Sequence, residues 1–218
     1  MNHPDLLIAT VVSAPFDENA YIVGLRGSTD CVIVDPSFDT ESLLDQVDSL
    51  GLEVVAIFNT HGHSDHIAGN AASKARWPAA PLIIGEGDAS KLTDPVGNLS
   101  AGFGVHLTSP PADQTVKHGE EVQWAGIRWA VRATPGHSCG HVIFVARQAD
   151  PVVVLGGDVL FAGSVGRSDF PDSDPAALSR SIRDELYTLD DTTIVLPGHG
   201  PPTTIGRERV SNPFVRGE

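Results

Sequence analysis

Short, β-branched apolar runs alternate with polar turns along this chain. Leu6–Val12, Asn19–Leu25, Cys31–Asp35 and Leu52–Asn59 each have the length and composition of a strand with one or both faces buried. Before the last of these, Asp39 or Thr40 is placed to cap a helix whose apolar stripe is Leu43, Leu44, Val47 and Leu50, with Gly51 to end it. A second helix is predicted from near Asp65 to Trp77, stopped by Pro78. Pro81–Ile84 reads as a short strand, and 93–115, rich in Gly, Pro, Ser and Thr, as a surface loop or lid. Val122–Trp124, Ile127–Ala133, His141–Val145 and Val152–Leu155 form a second series of strands. They precede a helix over Asp174–Leu189, with Pro175 in its first turn, and a last strand over Thr193–Leu196. Strands-then-helix thus occurs twice with no linker or repeat between. The pattern predicts a single α+β domain over 1–218 whose two halves face each other through their sheets.

Composition excludes several classes. The 218 residues are 41% apolar, enough for a large core, and no run approaches the roughly 20 apolar residues that cross a bilayer. With 14 Lys and Arg against 28 Asp and Glu, the formal charge is −14. No basic cluster offsets it, so nucleic acid and anionic membranes are not expected partners. Cys31 lies in an apolar run and Cys139 in a Gly/His-rich loop. Two cysteines make no disulfide framework, and the first residues lack the pattern of a secretion signal, so a reducing cytoplasm is expected.

The chemistry is concentrated just beyond predicted strand ends. Thr60-His61-Gly62-His63-Ser64-Asp65-His66 places four ligand-type side chains directly after a buried strand. In extended chain, residues i and i+2 point the same way, so His61 and His63 converge; the turn into a helix re-aims Asp65 and His66 toward a second ion. Imidazole and carboxylate at this density suit zinc, with iron or manganese as alternatives. Thr134-Pro-Gly-His137, Gly156-Gly-Asp158 and Pro197-Gly-His199-Gly200 repeat the arrangement singly, each after a strand and flanked by glycine. Together they supply five histidines and two aspartates, enough for two divalent metal ions sharing a carboxylate.

This ordered set, THGHSDH, TPGH, GGD and PGHG, resembles the metallo-β-lactamase superfamily over essentially the whole chain. The resemblance implies a four-layer αβ/βα sandwich. It implies one metal on His61, His63 and His137 and a second on Asp65, His66 and His199, with Asp158 bridging. His63 stands where the flavodiiron branch carries Glu. Asn19-Ala-Tyr-Ile-Val23, Val165-Gly-Arg-Ser-Asp-Phe-Pro171 and the Gly198–Gly206 segment with Asn212-Pro-Phe214 further resemble the short glyoxalase II-like (hydroxyacylglutathione hydrolase-like) hydrolases. The longer enzymes of that group carry a C-terminal helical region that supplies much of their glutathione site. This chain stops about twenty residues after His199, so thioester hydrolysis is the firmer expectation and glutathione as the specific thiol the weaker one.

The implied reaction is cleavage of small-thiol thioesters resembling S-lactoylglutathione by a metal-bridging hydroxide. The metals lower the pKa of a shared water, one of them stabilises the developing oxyanion, and Asp65 serves the nucleophile as the catalytic carboxylate. A thiolate of parent pKa about 8.5 leaves without an obligatory acid. Arg167 and Asp169 either anchor a substrate carboxylate or form a loop-fixing ion pair; Tyr21 and Phe170 are core or pocket wall. Asp35 either orients a ligand imidazole or caps a turn. Cys139 is expected as a free thiol near the site, His141 as a structural or ligand-orienting group, and His106 and His118 as solvated residues. The nearest alternative is a persulfide dioxygenase of the same superfamily with one iron on His61, His137 and Asp158. A lactonase or β-lactamase, an RNA-processing nuclease and a non-catalytic metal-binding module are the remaining rivals.

Overall fold

The computed structural model describes residues 3–217. Fourteen strands are assigned among them: β1 (Leu6–Ser13), β2 (Glu18–Leu25), β3 (Asp30–Val34), β4 (Glu53–Asn59), β5 (Leu82–Gly85), β6 (Gln114–Val116), β7 (Glu121–Trp124), β8 (Ile127–Ala133), β9 (Val142–Ala146), β10 (Val153–Gly157), β11 (Leu160–Phe161), β12 (Ser164–Val165), β13 (Ile194–Pro197) and β14 (Thr203–Thr204). The α-helices are α1 (Thr40–Ser49), α2 (Ser64–Ile67), α3 (Asn70–Arg76), α4 (Pro175–Ser181) and α5 (Ile205–Ser211).

Two six-stranded sheets carry the molecule, in the orders β1-β2-β3-β4-β5-β6 and β14-β13-β10-β9-β8-β7. In the first, β1 to β3 pair antiparallel and β3 to β6 parallel; in the second, only β10 and β13 run parallel. The period-2 alternation of strand side chains assigns each residue to a layer. Val32 and Val34 of β3 face the core between the sheets, while Cys31 and Ile33 face the opposite way, toward Leu43 and Val47 of α1. In the second sheet Phe144 of β9 faces the same central core, and Ile143 and Val145 face Leu178 of α4 and Ile205 of α5. Phe58 fills the centre, stacked on Phe144 at 4.4 Å and edge-on to Trp129 at 5.7 Å. This is the four-layer αβ/βα sandwich.

Three segments differ from the pattern-based expectation. The helix expected over 65–77 is two pieces, α2 and α3; at the junction the Gly69 N–H donates to the Pro36 carbonyl at 2.7 Å instead of within a helix, and a side chain there would strike the Ser37 carbonyl and the Thr40 hydroxyl. The helix expected over 174–189 changes at Ile182 into a wider turn running to Leu186, which keeps Ile182 and Leu186 both buried. The 93–115 loop holds a tight helical turn, Ser100–Phe103, and its far end starts β6. It is tied to the body by Asn98, which is buried and donates to the Lys91 and Leu107 carbonyls. No helix among the described residues is long and apolar enough to cross a membrane.

Candidate metal centre

Four strands deliver the site from one end of the sandwich. β4 runs into Thr60–His66, β8 into Thr134–His137, β10 into Asp158 and β13 into His199. His63 is still extended, at φ −74° and ψ 151°, and immediately precedes α2, so the chain turns between the first ligand pair and the second. As a result His61 Nε2, His63 Nδ1 and His137 Nε2 lie 2.9 to 3.2 Å from one another. Three ring nitrogens so close cannot all be satisfied by each other's N–H groups. Their spacing is near the edge of a tetrahedron drawn at the usual metal–nitrogen distance of about 2.0–2.1 Å. Burial, then the neighbouring imidazoles, holds His61 well below the usual histidine value; burial and His137 take His63 down to about 3. Both are neutral rings with a lone pair to offer.

The second group lies beside the first. His199 Nε2 is 3.4 Å from Asp65 Oδ2 and 3.5 Å from Asp158 Oδ2, and His66 Nε2 is 3.5 Å from Asp158 Oδ1 and 3.8 Å from Asp65 Oδ2. Asp158 Oδ2 is also 3.4 Å from His137 Nε2 of the first group, so this one carboxylate faces both. Burial alone would raise Asp158, but His66 foremost, with His137 and His199, keeps it far below the carboxylate range. Against burial, Asp158, Asp65 and Asp35 hold His66 well above the usual value. His66 Nε2 and Asp158 Oδ1 are buried with no hydrogen-bond partner among the described residues. Orphaned donors and acceptors of this kind carry a large desolvation cost unless a cation completes them. The donor set, nitrogen and carboxylate oxygen in two adjoining groups, fits a pair of divalent ions.

Outer contacts fix each ring. Asp35 accepts from Thr60 N at 2.8 Å and Thr60 Oγ1 at 2.7 Å, and it lies 3.0 Å from His66 Nδ1; Thr60 Oγ1 in turn lies 3.1 Å from His61 Nδ1. Asp35 therefore fixes the His66 ring directly and the His61 ring through Thr60. His137 Nδ1 meets the Arg167 carbonyl at 2.6 Å and His199 Nδ1 the Phe16 carbonyl at 3.0 Å. His141 takes no place among the converging atoms; its Nε2 accepts from the Asp158 backbone N–H at 3.1 Å. Gly198 matters because a Cβ there would overlap both the Asp158 carboxylate and the His66 ring. Asn19 and Tyr21 hold the His199 loop: Asn19 Nδ2 donates to the Pro197 and Gly200 carbonyls, and Tyr21 donates to Pro197 at 2.7 Å.

The remaining expected residues are placed as follows. Arg167 is ion-paired to Asp169 and lies 4.5 Å over the Phe170 ring; both charged side chains are about two-thirds exposed. Arg167 and Phe170 line a cavity of ≈ 270 Å³ above the metal ligands, and Asp169 does not. Phe170 packs edge-on to His63 at 5.2 Å and to His137 at 5.6 Å. Cys139 is exposed, its Sγ 3.8 Å from the Gly87 carbonyl and 3.7 Å from Asp88 Oδ1, and partial burial, then Asp88, raises its thiol. His106 and His118 are exposed.

Two features escaped sequence reading. Glu18 is fully buried 3.7 Å from His66 Nδ1, both oxygens unpartnered, and burial pushes its carboxyl well above the usual range. Buried Asp88, Lys91 and Ser138, with half-buried Asp172, form a network that joins the Gly62 and Gly140 loops. Lys91 Nζ bonds Ser138 Oγ and Asp172 Oδ2, while Asp88 accepts from the backbone N–H of Gly62 and Gly140 and from Ser138. Ser138 follows His137 directly, but nothing in the spacing of Asp88, Lys91 and Asp172 ties them to the histidines; the fold brings them together.

A sandwich of this topology with two adjoining histidine–aspartate groups at one end defines a metal-dependent enzyme class. The signature described as the metallo-beta-lactamase superfamily matches residues 14–199, and the chain belongs to that superfamily. It is 34% identical over 204 residues to the probable metallo-hydrolase YqgX of Bacillus subtilis, covering 93% of this chain and 94% of that one. It is 34% identical over 186 residues to the hydroxyacylglutathione hydrolase GloC of Haemophilus influenzae, covering 84% and 86%. Among solved structures it is similar to BLEG-1 B3 metallo-beta-lactamase (33% identity, TM-score 0.91, 96% of this chain and 99% of that one). It is also similar to ETHE1 from Myxococcus xanthus (27%, 0.80, 97% and 85%) and to TTHA1623 in a di-iron-bound form (36%, 0.80, 95% and 100%).

Proposed function

We propose that the protein is a hydrolase of small-molecule thioesters working at a dinuclear site, with His61, His63 and His137 holding one ion, Asp65, His66 and His199 the other, and Asp158 shared. The observation that carries the reading is the Asp158 carboxylate, within 3.5 Å of nitrogens from both groups. Two divalent ions held there would supply a water of lowered pKa and Lewis acidity toward a carbonyl oxygen. Asp65 is held ionised by His66 and His199 against the effect of burial, so it can accept a hydrogen bond from the attacking water. Phe16, Phe103, Phe161 and Phe170 give the cavity an apolar wall beside the reacting carbonyl. No residue need protonate the departing thiolate, whose parent pKa is about 8.5. The similarity to GloC supports this substrate class, and zinc is the ion we assign, with iron or manganese as substitutes.

The second reading is a persulfide dioxygenase with one iron, favoured by the likeness to ETHE1. Anaerobic assay of the metal-loaded protein with S-lactoylglutathione and an uncharged thioester separates the two. Release of thiol without oxygen supports the hydrolase. Oxygen uptake with persulfide, and no thiol release from any thioester, contradicts it.

A further inference from the structure

Adjoining the metal cavity is a second one of ≈ 240 Å³, walled by Pro15, Phe16, Phe38, Phe103 and Val105, with the hydroxyl-bearing Ser64 and Ser100 as its most polar residues. No charged side chain lines it. Phe103 is 64% exposed and Val105 50%, while the Phe16 ring lies 6.0 Å from Phe38 and 5.6 Å from Phe103. An open aromatic surface of this kind on an otherwise acidic molecule marks a binding site more often than an accident of packing. The groove adjoins the catalytic cavity, and Phe16, Ser64 and Phe103 line both. Phe16 also fixes the position of the groove, since its carbonyl orients His199.

A thioester whose carbonyl lies at the metal ligands sends two arms outward. Arg167, the one Arg or Lys among the described residues lining the metal cavity, stands by Phe170 at the His63–His137 end. The apolar groove shares Phe16, whose carbonyl meets His199 Nδ1 at 3.0 Å, and Ser64, the neighbour of Asp65. Resting on the hydrolase reading above, we infer that the groove receives the acyl arm, and that the substrates are thioesters of uncharged apolar acyl groups, aromatic or branched. A short hydroxyacyl group such as lactoyl would leave the groove unfilled. The zwitterionic, carboxylate-bearing arm of glutathione would find no partner for its charges there.

The test uses the metal-loaded full chain and acetyl, hexanoyl and phenylacetyl thioesters of one uncharged thiol, N-acetylcysteamine, with the same acyl groups on glutathione in parallel. The expected result is a kcat/KM for phenylacetyl at least about tenfold above acetyl on either thiol. That ratio falls toward one in the Phe38→Ala/Phe103→Ala variant, whose substituted side chains are exposed enough for the fold to tolerate their loss. A flat acyl series, a ratio unchanged by the double substitution, or a preference that follows the thiol overturns the assignment. Calorimetric titration with phenylacetate and acetate gives a readout independent of turnover. Phenylacetate binding about tenfold tighter in the wild type only supports the groove, and equal affinities overturn it. If no thioester is cleaved, the hydrolase reading fails while the titration still decides what the groove binds.

Discussion

Asp35 shows how one side chain outside the ligand set can govern it. Its two oxygens hold Thr60 and His66, and through Thr60 it reaches His61, so both metal groups depend on it. It does so from an unusual backbone, φ 49°, which points the carboxylate back into the site before Pro36. Removing a carboxylate that orients a ligand imidazole typically costs 10–100-fold in metal affinity. Asp35→Ala is therefore expected to weaken binding at the His66 group by about that factor in a competitive chelator titration. Unchanged affinity would assign Asp35 to turn formation alone. The ligands themselves were legible because they follow strand ends in short motifs; Glu18 was not, because a lone acid before an apolar run gives no sign that it will be sealed beside His66.

At the scale of elements, the loops after β4 and β8 are locked together by the Asp88–Lys91 pair. Both side chains are buried, with Asp88 at 0% and Lys91 at 8% exposure. Removing Asp88 costs about 1–3 kcal/mol, because the buried Gly62 and Gly140 N–H groups lose their acceptor while Lys91 keeps Asp172. Asp88→Ala should lose that much in urea unfolding of the apo-protein, and loss below about 1 kcal/mol would show the loops are held by other contacts. The pH dependence follows from the direction of its shift. Burial would raise Asp88, but Lys91 and the hydrogen bonds from Ser138 and Gly62 hold it below its ordinary 3.8. A carboxylate depressed in the folded state contributes its full stability above the unfolded value and loses it as the pH falls through the folded one. Wild-type stability should thus decline below about pH 4, and this part of the acid limb should be absent in Asp88→Ala. The strands and α1 were readable from apolar spacing. The break at Gly69 and the wide turn at Ile182 were not, because each answers to packing against another element rather than to the local sequence.

Over the whole molecule, two sheets packed through Phe58, Phe144 and Trp129 act as a rigid base from which four strands project ligands at one end. The parallel pairing of β10 and β13 is what brings Asp158 and His199 out side by side although forty residues of chain separate their motifs only loosely. That arrangement was inferable from the superfamily motifs and not from hydrophobic periodicity, which reports neither strand order nor pairing direction. The aromatic groove was also beyond sequence reading, since Phe16, Phe38 and Phe103 come from three separate loops. Metal binding to the folded state alone should stabilise it by mass action. Two equivalents of zinc are therefore expected to raise the melting temperature of the wild type and to leave that of Asp158→Ala nearly unmoved.

A two-ion hydrolytic site is tested most directly by adding zinc stepwise to the metal-free protein under anaerobic conditions while following thiol release from a thioester. The rate is expected to climb to a plateau at two equivalents, with full turnover in the absence of oxygen. Full turnover by the metal-free protein, or activity that needs a single iron and oxygen, would contradict it.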